Sequence, residues 1–153
     1  MTESDYIASR IAVAILQGAG REIEALNLEA MAERAGDRTL DDLSRQAAAT
    51  ETRSLEVAGA LIVPIAIEAA RQLWAAYQKK FLEEAGADAA KATLAKLKRW
   101  LSTPEAEAAT DRGAPLAAAI RQVGQERGLE PEDIEALVAA TTPERLARTL
   151  ADG

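Results

Sequence analysis

The sequence predicts an all-α fold: a helical bundle around a long central helix kinked at Pro64, with three short helices at its C-terminal end. Three observations predict it. Apolar residues recur at spacings of three and four along nearly every segment, and no stretch alternates as a half-buried strand would. Alanine, the best helix former, is the commonest residue. Glycines, prolines and capping residues fall mostly at the ends of the periodic segments.

Ser4 is placed to cap a first helix whose inward face is Ile7, Ala8, Ile11, Ala12, Ile15 and Leu16. Gly18 and Gly20 weaken it, but the period resumes at Ile23 and Leu26, which predicts one helix to about Leu26, bent at the glycines. Asn27 then caps a short helix, Leu28 to Ala35, ended by Gly36. Thr39-Leu40-Asp41-Asp42 forms a capping box with aspartate and opens a third helix, Leu40 and Leu43 inward. From Thr50 to Ser54 the period is lost; a loop is expected, with a continuous solvent-exposed helix as the alternative.

Leu55 to Ala85 is the central helix. In helical projection its large apolar residues span about 240°, which requires packing from several sides. A polar stripe through Pro64, Glu68, Arg71, Ala75 and Gln78 is left for solvent. Pro64 would clash with the carbonyl of Ala60 and kink the helix, unless it opens a fresh one. Gly86 ends the segment, and Asp88 caps the next, with Ala90, Leu94, Leu97 and Leu101 inward. Ser102 to Gly113, an acidic, alanine-rich stretch containing Pro104, reads as a connection with room for a helical turn. Three short helices follow, begun by Pro115, Pro131 and Pro143 and facing inward with Leu116, Ile120, Val123, then Ile134, Leu137, Val138, then Leu146 and Leu150. The expected organisation is a bundle over 1–102, a connection over 103–112 and a three-helix part over 113–153, packed on the bundle or separate.

The composition removes whole classes of chemistry. Neither cysteine nor histidine occurs, so disulfides, thiolate metal sites, histidine-based triads and imidazole zinc sites are excluded. The net charge of −7 opposes general affinity for nucleic acid or anionic lipid. All five lysines nevertheless lie between Lys79 and Lys98, and the span Arg71–Arg99 carries seven basic and three acidic residues. That is a local +4, leaving −11 on the rest. The thirteen arginines and abundant alanine match the habit of GC-rich bacterial genes. The acidic first residues lack the basic region that opens a signal peptide. The longest uncharged run, Val57 to Ile67, is eleven residues, short of the roughly 20 a spanning helix needs. A cytoplasmic protein is expected.

No catalytic residue, cofactor or metal ligand is expected. Glu130, Glu132, Asp133 and Glu135 lack the alternating ligands and central glycine of a calcium loop, and suit a helix N-terminus instead. Asp41-Asp42 and Glu83-Glu84 diverge around a helix. Glu68, the one acid beside the apolar run, fits a solvated residue pairing with Arg71 or Gln72. Two features point to binding. One is a basic patch of Lys79, Lys80, Lys91, Lys96, Lys98 and Arg99, suited to an acidic partner. The other is an apolar strip of Val63, Ile67, Trp74, Tyr77 and Phe81, suited to a protein interface.

Leu28 to Leu43 resembles, in part, the helix-turn-helix of TetR-type repressors: Met31-Ala32 and Ala35-Gly36 match its first helix and turn. Asp37 departs from the pattern where a small apolar residue is usual, and Asp41-Asp42 fall in the recognition helix. The resemblance implies DNA binding, with acids facing phosphates. The leading expectation is a non-enzymatic adaptor or regulatory protein, such as a component of a bacterial effector or toxin system, acting on a protein partner or as a homo-oligomer. A DNA-binding regulator and a membrane-active helical effector are the alternatives.

Overall fold

A computed structural model describes residues 2–53, 62–85, 94–110 and 115–152. Among them the chain forms nine helices and no strand. They are α1 (Glu3–Gly18), α2 (Glu22–Glu33), α3 (Leu40–Arg53), α4 (Ile62–Ala85), α5 (Leu94–Trp100), α6 (Pro104–Thr110), α7 (Pro115–Glu126), α8 (Pro131–Ala140) and α9 (Pro143–Asp152). The architecture is the all-α bundle read from the sequence, and α4 is its long central helix.

α4 shares the centre with α1. Ile11 to Leu16 run without an exposed residue, so α1 is apolar on all sides and has to be enclosed. It packs on α2, α3, α4, α8 and α9. Ser9, buried in α1, is satisfied by donating its hydroxyl to the Tyr6 carbonyl at 2.6 Å. Thr2, not Ser4, caps the helix, its Oγ1 accepting from the Asp5 N–H at 3.1 Å.

α1 does not continue to Leu26. The Arg21 N–H donates to Leu16 O at 2.8 Å and the Gly20 N–H to Gln17 O at 3.1 Å, with Gly20 at φ +80°. This is a Schellman end, and its left-handed residue is strained for any side chain but glycine. The chain leaves in a new direction, and the apparent period across the break is spurious. Ile23 and Leu26 are 74% and 62% exposed, while Ala25 and Leu28 are the buried positions of α2. Asn27 lies inside α2, exposed, and caps nothing. The same motif ends α7: Leu129 N–H to Gly124 O at 2.8 Å and Gly128 N–H to Gln125 O at 3.1 Å, with Gly128 at φ +77°.

The aspartate capping box at α3 is present in both directions. Asp42 N–H donates to Thr39 Oγ1 at 3.2 Å, and Thr39 N–H to Asp42 Oδ2 at 3.1 Å. Leu40, Leu43 and Ala47 face the core. The helix runs on to Arg53, so of the two readings of Thr50 onward the continuous helix holds that far rather than the loop; Ser54 lies outside the described residues.

α4 buries Ile62, Val63, Ile65, Ala66, Ile67, Ala69, Ala70, Leu73, Trp74 and Tyr77. Pro64 is buried with them rather than on the solvent stripe. It is the third residue of the helix as described. Ala60, whose carbonyl it would clash with in a longer helix, lies outside the described residues. On the solvent side Gln72 Nε2 donates to Glu68 Oε1 at 3.4 Å, and Arg71 pairs with Asp41 of α3 at 2.6 Å.

In α5, Leu97 is buried and Leu94 half-buried, with Leu101 buried just beyond; Gly86, Asp88 and Ala90 lie outside the described residues. The stretch read as a connection contains α6, which buries Ala106 fully and touches α4, α7 and α9. α7 and α8 meet so closely that a Cβ on Gly124 would sit 2.7 Å from Ile134 Cγ1. The C-terminal helices also reach the start of the chain. Arg21 pairs with Asp133 at 2.5 Å, Arg145 Nη1 donates to Gly18 O at 3.4 Å, and Gly18 lies against Ala140. Buried residues from Ile7 to Leu150 form one hydrophobic cluster.

A basic-aromatic cleft as the candidate site

Four of the chain's five aromatic residues gather at one end of α4. Trp74, Tyr77 and Phe81 follow at three- and four-residue steps and share a helix face. Trp100, the last residue of α5, closes on them. The Tyr77 ring lies 5.4 Å from Trp74, 5.9 Å from Phe81 and 5.6 Å from Trp100, all tilted, within the range where aromatic pairs attract. Lys96 Nζ stands 4.9 Å from the Phe81 ring centroid, a cation–π contact. The chain then turns sharply, as Thr103 donates both its N–H and its hydroxyl to the Trp100 carbonyl, at 2.9 and 2.6 Å. The turn brings Thr103 and Glu105 to the same place. Tyr77, Phe81, Lys96, Arg99, Trp100, Thr103 and Glu105 together line a cleft of about 350 Å³.

The cluster holds an unusual polar deficit. Trp74 Nε1, Tyr77 OH and Trp100 Nε1 are buried without a hydrogen-bond partner, and they are the only such side-chain atoms among the described residues. Each orphan costs roughly 1–3 kcal/mol. An indole N–H can only donate. Burial raises the Tyr77 phenol above its ordinary value of 10.0, with the Arg99 charge pulling the other way, so at neutral pH it too keeps its proton and can donate.

Of the basic patch, Lys79, Lys80 and Arg99 are exposed and Lys96 and Lys98 half-buried; Lys91 lies outside the described residues. Lys98 and Arg99 occupy the last turn of α5, where they also complement the helix dipole. The apolar strip does not form a surface. Val63, Ile67, Trp74 and Tyr77 are core residues, and Phe81 alone is half-exposed, because α1 and the neighbouring helices consume that side of α4. Sequence reasoning did not join Trp100, Thr103 or Glu105 to the site. The available signal was the concentration of four scarce aromatics next to the lysines.

The other candidates disperse. Asp133 pairs with Arg21 and Glu135 with Arg121 at 3.5 Å, while Glu130 and Glu132 are exposed. Between α2 and α3 the connection is six residues, 34–39, against the three or four of a helix-turn-helix. At the start of α3, Asp42 is engaged by Thr39 and Arg45, and Asp41 by Arg71. A second hollow, about 470 Å³, lies there, lined by Asn27, Met31, Arg34, Arg38 and Gln46 among others. Among the described residues no helix is long and apolar enough to cross a membrane. No protein-family model matches this chain, and no curated protein or solved structure is significantly similar to it.

Proposed function

We propose that the protein is a non-enzymatic, cytoplasmic adaptor that binds an acidic segment of a protein partner on the face formed by the end of α4 and by α5. The observation that carries this reading is an aromatic-lined cleft with Lys96 and Arg99 in its wall, within the segment that holds all five lysines of a molecule whose net charge is −7. Opposite charge steers an acidic segment to this face, and the aromatic walls supply contact area once it arrives. Two further points favour binding over catalysis. The chain lacks histidine and cysteine, and among the described residues no three acidic side chains gather as a metal-binding group would. The DNA-binding alternative is disfavoured by the acidic start of α3 and the long turn before it.

An array of acidic, neutral and basic peptides, probed with the protein and with a Lys79→Glu/Lys80→Glu/Arg99→Glu variant, tests the proposal. Selective capture of acidic peptides is expected, weakening with salt and falling at least about tenfold in the variant. The three residues are exposed, so the melting temperature should barely move. Equal capture by both proteins would refute the assignment of this face, and preferential binding to duplex DNA would revive the repressor-like reading.

A further inference from the structure

We infer that the α4–α5 cleft is also a ligand site for a small aromatic carboxylate, held by Lys96 and Arg99 and hydrogen-bonded by the buried donors of Tyr77 and Trp100. The inference does not depend on an acidic protein partner; it rests on what the cleft lacks. Tyr77 and Trp100 line it, and each carries a buried donor with no acceptor, Tyr77 OH and Trp100 Nε1, with Trp74 Nε1 in the same aromatic cluster. Tyr77 and Trp100 are 2% and 7% exposed. A group that satisfies indole N–H donors has to be an acceptor, and two cations on the rim select an anionic one. Carboxylates meet both requirements and accept charge-assisted bonds.

The body of the ligand follows from the walls. Phe81, Tyr77 and Trp100 offer ring faces, and the volume of about 350 Å³ is at the small end of ligand pockets, enough for one or two fused rings. Lys96 lies over Phe81, and both are half-buried. Because the donors are buried, the proposed ligand reaches them as this pair swings aside, its carboxylate binding Lys96. Glu105 on the rim disfavours ligands with a second acid and orients the carboxylate inward, towards Lys96.

The chain has two tryptophans, Trp74 and Trp100, and both belong to this cluster. Their two indole N–H signals in a proton–nitrogen NMR spectrum therefore report on the site directly. Titration of the full chain with benzoate and with phenylacetate should shift the Trp100 signal saturably. Benzamide, with the same ring and no charge, should bind at least about tenfold more weakly, as should acetate. Tyr77→Phe removes one donor and Lys96→Met one cation; each should weaken benzoate about tenfold. A thermal melt of each variant establishes that it is folded. The inference is overturned if neither carboxylate shifts an indole signal, which would leave water as the occupant of the donors. It is equally overturned if benzamide or acetate binds as well as benzoate, or if the folded variants bind as the parent does. Peptide capture by the basic face is measured separately and survives any of these results.

Discussion

Asp42 shows how much one side chain can carry. Its carboxylate accepts the Thr39 N–H, holds Arg45 and lets the Thr39 hydroxyl cap its own N–H. The backbone bond from Thr39 is the main cause that lowers its pKa below the ordinary 3.8, with the Arg45 and Thr39 side-chain bonds adding to it. A lowered folded value means that the ionised form stabilises the fold. That contribution is complete above about 3.8, declines as the pH falls below it, and is gone once the pH passes under the folded value. Denaturation of the parent and of Asp42→Asn at a series of pH values should show the parent more stable at neutral pH and the two converging in acid. A gap that is the same at every pH would contradict this account. Tyr77 presents the opposite case: a buried group whose raised value favours the protonated fold, so its contribution is complete below 10.0 and lost in alkali.

At the scale of the helices, the ends were legible wherever residue chemistry writes them. Thr39 with Asp42, and Pro115, Pro131 and Pro143, mark helix starts that the backbone adopts, because a cap or a fixed φ acts locally. The end of α1 was not legible from periodicity. Ile23 and Leu26 continue the apolar spacing by coincidence, while the decision is made by a left-handed residue at Gly20 and two reversed hydrogen bonds. α6 was only partly legible for a different reason: seven residues rich in acid and alanine read as a linker with room for a helical turn, and the packing of Ala106 makes them a helix of the core. The cleft was half legible. Lys96, Arg99, Tyr77 and Phe81 stand out in the sequence, but their meeting with Trp100, Thr103 and Glu105 depends on α5 folding back onto α4, which no local spacing encodes. The α2 surface gives a direct check. Replacing Ile23 and Leu26 by Gln should change stability by no more than about 0.5 kcal/mol, whereas Leu28→Ala, on the buried side, should cost about 2–5 kcal/mol. Urea denaturation decides it, and a large loss from the exposed pair would mean that α2 is covered in solution.

For the whole molecule, the charge pattern and the core act on different surfaces. The span Arg71–Arg99 carries +4 and the rest of the sequence −11; among the described residues Lys79 and Lys80 lie on α4 and Lys96, Lys98 and Arg99 on α5. The interior, by contrast, is shared by the two ends of the sequence: α1 touches both α8 and α9, Arg21 reaches Asp133, and Leu146 and Leu150 belong to the same cluster as Ile7 and Ile11. A chain cut after 112 should therefore lose cooperative unfolding and bind a hydrophobic dye. A sharp thermal transition in the shortened chain would show that the first part stands alone.

The enclosure of α1 has a consequence in time as well as in space. α1 is synthesised well before α8 and α9, two of the helices that cover it. Through most of translation Ile11 to Leu16 form an oily rod with an open flank, the kind of segment that nascent-chain chaperones retain. Contacts so distant along the chain also slow the final closure. A helix made early is finished late.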